Sequence, residues 1–506
     1  MTTVIATVAA VCALAAAGMF PVLAAVGLRW VAVTLAPLVG ALTAALAATA
    51  SLTFGGQFIS WFVGLAALGA GVVFALWVVR PDFGPRRAPP GSRSEGGSGG
   101  IHRIFGIVGF LAIIATCAWS LRGLRSPTVG FDARALWVMR PGWFLQSHAQ
   151  LLVDLKARGL VLTQSAYPPL VSASAAVAWK ITGIHSARLG VTVIAVLNAC
   201  ALATAALAVV DCGRGMAGRV SRSWIPMASG LVAAILLVMV ASGVTEPFLT
   251  NGYADPLWSL AAVGAVAFGL QLRDDPSVRA AAAVLILVAG TTKDEGLVTA
   301  LALVILVAAR SIGMDGLRGA RDRWLVPVAV ALGEVALLAW WPMMMRVIGA
   351  RGASSTFDTH TGVGHRTNAT IHGMSPYLHV LVLAVPLSVV GGLVLSGVRR
   401  RVGMGNDLWA WGALATGLGA VGAVLVASRS PIGPWILSTV HRITEFPILQ
   451  AWWIVGIWAV VATSELAGIL EGDPASSRGA PRPNEPLPDP DAAIDRSGVE
   501  PTRVAG

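Results

Sequence analysis

The chain has 506 residues, of which 56% are apolar and 12% are charged, about half the ~25% charged fraction of a typical soluble domain. Apolar runs long enough to cross a ~30 Å hydrocarbon core (about 17–25 residues each) recur along it, which excludes an ordinary soluble protein. The 36 basic and 25 acidic residues give a net charge of +11. In a membrane protein this excess indicates arginine-rich cytoplasmic loops, so we predict a polytopic transmembrane helical bundle, all-α, with no nucleic-acid partner.

Apolar runs predict about thirteen membrane spans. They cover approximately residues 4–28, 30–53, 56–79, 104–121, 189–210, 226–243, 256–272, 280–292, 295–310, 324–346, 377–397, 407–427 and 447–468. The first run has no basic flank before it and no convincing cleavage site, so we interpret it as a retained helix. Residues 1–80 form extra N-terminal helices, 81–103 a disordered cytoplasmic loop, and 471–506 a disordered cytoplasmic tail.

Arginine clusters set the predicted orientation. They lie at residues 80–103, 211–225, 310–323 and 399–401. All fall on the cytoplasmic side only if residues 167–183 do not cross the membrane, and we predict a juxtamembrane helix lying on the outer face there. The N-terminus is then outside, the C-terminus is inside, and loops at 122–188 and 347–376 face outward from a cytoplasmic (inner) membrane.

Polar segments interrupt the predicted outer face. Asp132 follows the fourth span, where an apolar wall can raise the basicity of a carboxylate and make it a general base. The structural alternative is that Asp132 caps a helix over 133–144 and pairs with Arg134 or Arg140. Tyr167 precedes a Pro-Pro pair, which is typical of a helix start.

The next segments place charges beside apolar runs. Glu246 and Asp255 lie in a short outer turn. Lys293, Asp294 and Glu295 interrupt an otherwise apolar run, and three charges between two half-length helices must face a cavity or each other. The alternative to a functional site is a self-neutralising pair of Lys293 with Asp294 or Glu295.

The last polar segment holds His441 and Arg442 before the final span. Arg442 is either a snorkelling membrane anchor or a phosphate ligand. Three other histidines, His360, His365 and His372, lie in a loop that we predict to be mobile. With no His/Asp group of clear metal spacing, we favour a site without a metal.

Taken in order, these segments resemble the GT-C membrane glycosyltransferases. The matching motifs are Asp132 after an early span, Tyr-Pro-Pro-Leu from Tyr167, Gly-Tyr-Ala-Asp to Asp255, Lys-Asp-Glu-Gly from Lys293, and Ser-x-x-x-Arg to Arg442. The likeness covers about residues 104–460 and is greatest to the bacterial branch related to dolichyl-phosphate-mannose mannosyltransferases and lipid A aminoarabinose transferases.

The chain departs from that branch at three positions. Phe131 replaces a common Trp before Asp132, Arg140 stands where a Lys is common, and His441 stands where an Asp is common before Arg442. These departures weaken the match of the His-Arg pair, while the position of Asp132 is retained.

The resemblance implies a GT-C-like catalytic membrane core over 104–470. It implies inverting transfer of a sugar from a polyprenyl-phosphate donor to an envelope glycan, glycolipid or protein acceptor, with Asp132 as general base. The implied donor-phosphate ligands are Lys180, Lys293 and Arg442, and the implied substrate-binding residues are Tyr167, Glu246, Asp255, Glu295 and His441. Some relatives use a divalent metal and others do not, so we expect no cofactor and keep a divalent metal as the alternative.

Two other functions stay open. A transporter or flippase of a lipid-linked sugar would use polar residues at mid-membrane depth, of which Asn198 and Glu334 are the clearest. A non-catalytic membrane scaffold would lose no chemistry when Asp132 is changed. The arginine- and alanine-rich composition is typical of actinobacteria and makes decaprenyl-phosphate mannose or arabinose the first donors to try.

Overall fold

The computed structural model describes most of the predicted bundle. The described residues are 2–26, 30–79, 99–125, 129–130, 132–156, 166–217, 225–245, 249–270, 276–315, 322–350, 363–379, 382, 386, 404–427 and 440–470. Their regular structure is helical, and none of them forms a strand. The all-α prediction is confirmed for this part of the chain, while the tail 471–506 lies outside it.

The α-helices, numbered in chain order, are as follows. They are α1 (Thr2–Val26), α2 (Trp30–Phe54), α3 (Phe58–Val79), α4 (Gly99–Ser120), α5 (Pro141–Phe144), α6 (His148–Lys156), α7 (Leu170–Thr182), α8 (Ala187–Ala217), α9 (Ile225–Thr245), α10 (Asp255–Leu270), α11 (Pro276–Gly290), α12 (Asp294–Asp315), α13 (Asp322–Val347), α14 (Val363–Met374), α15 (Met404–Ala427) and α16 (Glu445–Leu470). Short 3₁₀ or π-helical segments cover Leu121–Arg125, Ala133–Val138 and Ser375–Tyr377.

Several of these helices have the length and apolar character of membrane spans. Within the described residues seven helical segments qualify by length and composition, and six further apolar helices are shorter. Each predicted span coincides with a described helix except 377–397, most of which lies outside the described residues. The helices thus support a multi-span membrane protein, and the count of thirteen spans stays a prediction.

The N-terminal helices are part of the main core. Helices α1 and α2 pack against each other and also against α7, α8 and α11. A single cluster of buried apolar side chains extends from Ala6 in α1 to Val461 in α16. Gly40 allows α1 and α2 to approach closely, because a Cβ atom there would collide with the backbone of Leu14.

Helix α7, in the segment 167–183, is enclosed by other helices and is not an exposed surface helix, while its predicted position at the outer face of the membrane stays a prediction. Residues Leu170–Trp179 are all buried, and the helices that pack against α7 are α1, α2, α5 and α8. Its 13 residues span about 20 Å, less than a ~30 Å hydrocarbon core. The hydropathy of α7 alone could not reveal that α1 and α2 cover it.

Two other expectations about loops need correction. Helix α4 begins at Gly99, inside the stretch 81–103 that was expected to be disordered. Helix α14 contains His365 and His372, which were expected in a mobile loop, whereas His360 lies outside the described residues.

Candidate functional site

Three helices begin at one end of the bundle, each with a carboxylate in its first turn. Helix α10 begins at Asp255, α12 at Asp294 and α16 at Glu445. The start of a helix carries partial positive charge, which favours an acidic side chain there. The start of α7 reaches the same place, because the amide of Leu170 donates to the carbonyl of Thr291, 3.0 Å away.

Five charged side chains at this end form a continuous series of ion pairs. Arg442 Nη1 contacts the carboxylate of Asp132 and lies 3.7 Å from Oδ2 of Asp255. Lys293 Nζ lies 2.8 Å from Oδ1 of Asp255 and 3.4 Å from Oε1 of Glu295. Asp255 therefore joins the two cations. We call these five residues the charged cluster.

The charged cluster is almost closed to solvent except at Asp132. The exposed fraction of the side chain is 1% for Asp255, 3% for Lys293 and 6% for Glu295, but 20% for Asp132. Buried charges need partners, and here three carboxylates surround two cations, which leaves one excess negative charge. Burial alone would lower the pKa of Lys293, but Asp255 and Glu295 outweigh it and raise that pKa, so the ammonium group stays charged.

The contacts decide three alternatives that the sequence left open. Asp132 does not cap the helix that follows, since its side chain makes no capping hydrogen bond, and it pairs with Arg442 rather than with Arg134 or Arg140. Lys293 does pair with its neighbour Glu295, but its shorter contact is to Asp255. Arg442 does not snorkel toward a lipid surface, because its guanidinium faces the carboxylates of the cluster.

Tyrosine side chains line the cluster. The chain has three tyrosines, and two of them, Tyr167 and Tyr253, lie here. The ring of Tyr167 stacks on Trp137 with 5.6 Å between centroids, and the guanidinium carbon of Arg442 lies 4.9 Å from the ring centroid of Tyr253. Burial, together with the surrounding carboxylates, raises the pKa of Tyr167 well above its usual value. The Tyr167 phenol therefore keeps its proton and can donate a hydrogen bond.

The Tyr167 backbone is held by neighbouring side chains. Arg140 Nη2 donates to the carbonyl of Tyr167 over 2.8 Å, and Trp341 Nε1 donates to the carbonyl of Ala166 over 2.9 Å. Burial lowers the pKa of Arg140 to about 10, and the charge of Asp294 opposes that shift. Arg140 is thus a fully buried cation that holds the Tyr167 backbone, whereas the sequence suggested it as a partner of Asp132 and as a position where a Lys is common.

The turn that carries Tyr253 and Asp255 is fixed from α8. Asn198 Nδ2 donates to the carbonyl of Leu249 over 3.1 Å and to that of Tyr253 over 3.4 Å. Gly252 in this turn has φ +86°, and a Cβ there would lie 2.9 Å from the Cβ of Ala133. Asn198, which a transporter would use at mid-membrane depth, therefore serves to hold this turn.

Other predicted site residues are not part of the cluster. Lys180 is exposed and lies ten residues along α7 from Leu170, about 15 Å away along the helix axis, so the structure does not bring it to the other two cations. Glu246 lies outside the described residues. His441 is half-buried beside Arg442 and is within electrostatic reach of Asp255.

Two site residues were missed from the sequence. Tyr253 lies under Arg442, and the Gly-Tyr-Ala-Asp motif that contains it was the available signal. Glu445 is 1% exposed, its carboxylate oxygens make no hydrogen bond to any described residue, and it is within electrostatic reach of Asp255 and Lys293. Its signal was an acidic residue directly before an apolar span.

The described part of the chain contains no group of three or more His, Cys, Asp or Glu side chains arranged to hold a metal ion. A divalent metal therefore stays the alternative that the resemblance allows. What the cluster offers directly is a solvent-reaching carboxylate, two cations paired with carboxylates, and a phenolic donor.

Comparison of the chain with protein-family models, with curated proteins and with solved structures gave no match. The charged cluster and the order of the motifs that build it are thus the basis on which a function can be argued.

Proposed function

We propose that the protein transfers a sugar, with inversion, from a polyprenyl-phosphate donor to a cell-envelope acceptor, and that the charged cluster is its active site. The observation that carries the proposal is the assembly of the motifs: Asp132 and Arg442, 310 residues apart, are in contact. Asp255 and Lys293 join the same cluster. An enzyme of this class needs its separate motifs in one place, whereas an unrelated membrane bundle has no such requirement.

In the proposed reaction Asp132 is the general base, because it is the cluster carboxylate with most access to solvent. The proton of the acceptor hydroxyl passes to Asp132, and the acceptor oxygen forms a bond to the anomeric carbon. The bond from that carbon to the phosphate oxygen breaks on the opposite face, and its electron pair stays on the phosphate. Arg442 and Lys293 stabilise the negative charge that grows there, and the Tyr167 phenol donates to a sugar or phosphate oxygen.

The active site faces outward in this proposal. Helices α10 and α12 both run from the charged cluster to the opposite end of the bundle, where Arg310 Nε donates to the carbonyl of Gly269 over 2.9 Å. Arg310 opens the arginine-rich segment 310–323, which the positive-inside rule places in the cytoplasm. The cluster then lies at the outer face of the cytoplasmic membrane, where lipid-linked sugars and envelope acceptors meet.

The direct test uses the purified full-length protein in lipid nanodiscs. It is incubated with a panel of radiolabelled polyprenyl-phosphate sugars, decaprenyl-phosphate mannose and arabinose among them, and with an extract of cell-envelope acceptors. We expect one donor to release polyprenyl phosphate while its label moves to the acceptor fraction. If no donor is consumed above the level of empty nanodiscs, glycosyl transfer is not the function.

A second candidate is a proton-coupled transporter of a lipid-linked sugar. Two carboxyl groups favour it, because Glu445 is buried with no hydrogen bond from the described residues to its oxygens, and Glu334 is buried midway along α13. Ionisable groups inside a membrane bundle often mark proton or substrate pathways. The two functions separate in proteoliposomes: a transporter moves intact labelled donor across the bilayer, whereas the proposed enzyme cleaves it.

A further inference from the structure

No cation of the charged cluster is free to receive a phosphate as the structure stands. Lys293 contacts Asp255 and Glu295, and Arg442 contacts Asp132 and lies 3.7 Å from Asp255. Three carboxylates already outnumber these two cations, so an entering anion meets net negative charge. A phosphate can bind Arg442 or Lys293 only by taking the place of a carboxylate.

The carboxylate that can leave at least cost is Asp132. Its side chain is 20% exposed, whereas that of Asp255 is 1% exposed. Water can therefore solvate a released Asp132, but a released Asp255 would stay buried beside Glu445 and lose part of its pairing. Asp255 is also fixed by Lys293, 2.8 Å away, a contact that the loss of Arg442 would leave intact.

Arg442 stays in place when Asp132 leaves. Its guanidinium lies 4.9 Å from the ring centroid of Tyr253 and 3.7 Å from Oδ2 of Asp255. These two neighbours lie at the start of α10, in the turn that Asn198 fixes. The guanidinium is thus held on one side by a rigid turn and on the other by a carboxylate that solvent can reach.

We infer that Arg442 is an anion site closed by Asp132 in the empty protein, and that a phosphate ester opens it by displacing Asp132. This inference rests on the proposed function and adds an order of events to it. The donor phosphate binds Arg442 first and frees the Asp132 carboxylate from its counter-ion. Asp132 can then accept the proton of an acceptor hydroxyl, so the base is released only when a donor is present.

The test is a binding measurement on the full-length protein in nanodiscs, with polyprenyl phosphate that carries no sugar. Asp132→Asn removes the competing charge and should tighten binding about tenfold, the effect of weakening one charge-assisted hydrogen bond. Asp132→Ser should also tighten it, which guards against a specific effect of the amide. Asp154→Asn is the matched control, because Asp154 is an acidic side chain on α6 that accepts a hydrogen bond from Gln150 at 3.0 Å, and its change should leave affinity as in wild type.

Further ligands identify what opens the site. Polyprenol, which lacks the phosphate, should bind wild type and Asp132→Asn equally, while inorganic phosphate should compete with polyprenyl phosphate better in the variant. If wild type binds polyprenyl phosphate and both Asp132 variants bind neither this lipid nor inorganic phosphate more tightly, the displacement is wrong and the proposed transferase still stands. If neither wild type nor any variant binds polyprenyl phosphate, both the displacement and the lipid-phosphate donor fail. If the Asp132 variants bind inorganic phosphate more tightly than wild type but polyprenyl phosphate no more tightly, the anion that displaces Asp132 is a free phosphate. The link between this displacement and the lipid donor then fails.

Discussion

The cations at the two ends of the α10–α12 pair differ in their surroundings, since Arg310 is half-buried whereas Lys293 and Arg442 are buried. At one end Arg310 donates to the carbonyl of Gly269 and lies 5.0 Å from the ring centroid of Trp409. At the other end Lys293 and Arg442 meet carboxylates that outnumber them. A carbonyl and an aromatic ring can stabilise a cation between helices without a large desolvation cost. The carboxylates around Lys293 and Arg442 carry a desolvation cost that helix association does not require, and this cost supports placing the proposed chemistry at the cluster end.

The largest effect expected at the cluster end comes from Asp132→Asn. The amide keeps the size of the side chain and loses its basicity, so the transfer rate should fall by about 10²–10⁴. The rate is measured as polyprenyl phosphate released per minute, on protein whose yield and elution volume match wild type. Asp154→Asn should keep the wild-type rate. If Asp132→Asn transfers sugar at the wild-type rate, Asp132 is not the general base, and the alternative of a non-catalytic membrane scaffold is favoured.

Arg442 should matter through the donor phosphate. Arg442→Ala removes a charge-assisted contact and should weaken binding of the sugar-bearing donor about ten- to a hundredfold. Arg442→Lys keeps the charge but loses the planar fork, so it should recover part of the affinity. Equilibrium binding of labelled donor measures both. Wild-type affinity in Arg442→Ala would show that the phosphate binds elsewhere, with Lys293 as the next position to change.

At the other end, Arg310→Gln should affect stability more than catalysis. The glutamine loses the ring contact with Trp409 and weakens the bond to Gly269, which should cost about 1–2 kcal/mol of the free energy of unfolding. Thermal melting in detergent measures this loss. The transfer rate per folded molecule should stay near wild type. A variant that melts normally and yet has lost transfer would place chemistry at both ends and remove the contrast.

The smallest effect is expected for Lys180→Ala. The resemblance implies that Lys180 binds the donor phosphate, but the structure places it on the exposed part of α7, away from the cluster. Donor affinity and transfer rate should therefore both match wild type within about twofold, since surface substitutions away from a site change little. A tenfold loss of donor affinity would show that the phosphate binds beside α7 instead of beside Arg442.

Much of the bundle was predictable because hydropathy and helix length are local properties. The helix starts were also readable, since Asp255 and Glu295 lie in first turns beside interrupted apolar runs. The burial of α7 was not, because it depends on which helices cover it, and apolar sequence alone does not specify partners. For the same reason the motifs predicted Asp132, Lys293 and Arg442 as site residues without predicting which carboxylate each cation would meet.

The residues missed or misplaced have a common physical cause. Glu445 was not identified from the sequence, and its place beside Asp255 follows only from how α16 packs against α10. Lys180 looked like the other cations of the predicted outer face, but ten residues of helix separate it from the start of α7. The motifs along the sequence identify candidate residues, and the contacts between helices determine which of these residues share a site.

The central claim is that residues from distant motifs act as one active site, and a double-mutant cycle tests it most directly. The transfer rate is measured for wild type, Asp132→Asn, Lys293→Gln and the double variant, with each preparation matched for folded protein. Residues that act as a unit give non-additive losses, so we predict that the double variant is about as slow as the slower single variant. If the two losses multiply, Asp132 and Lys293 act independently, and the single-site account is contradicted.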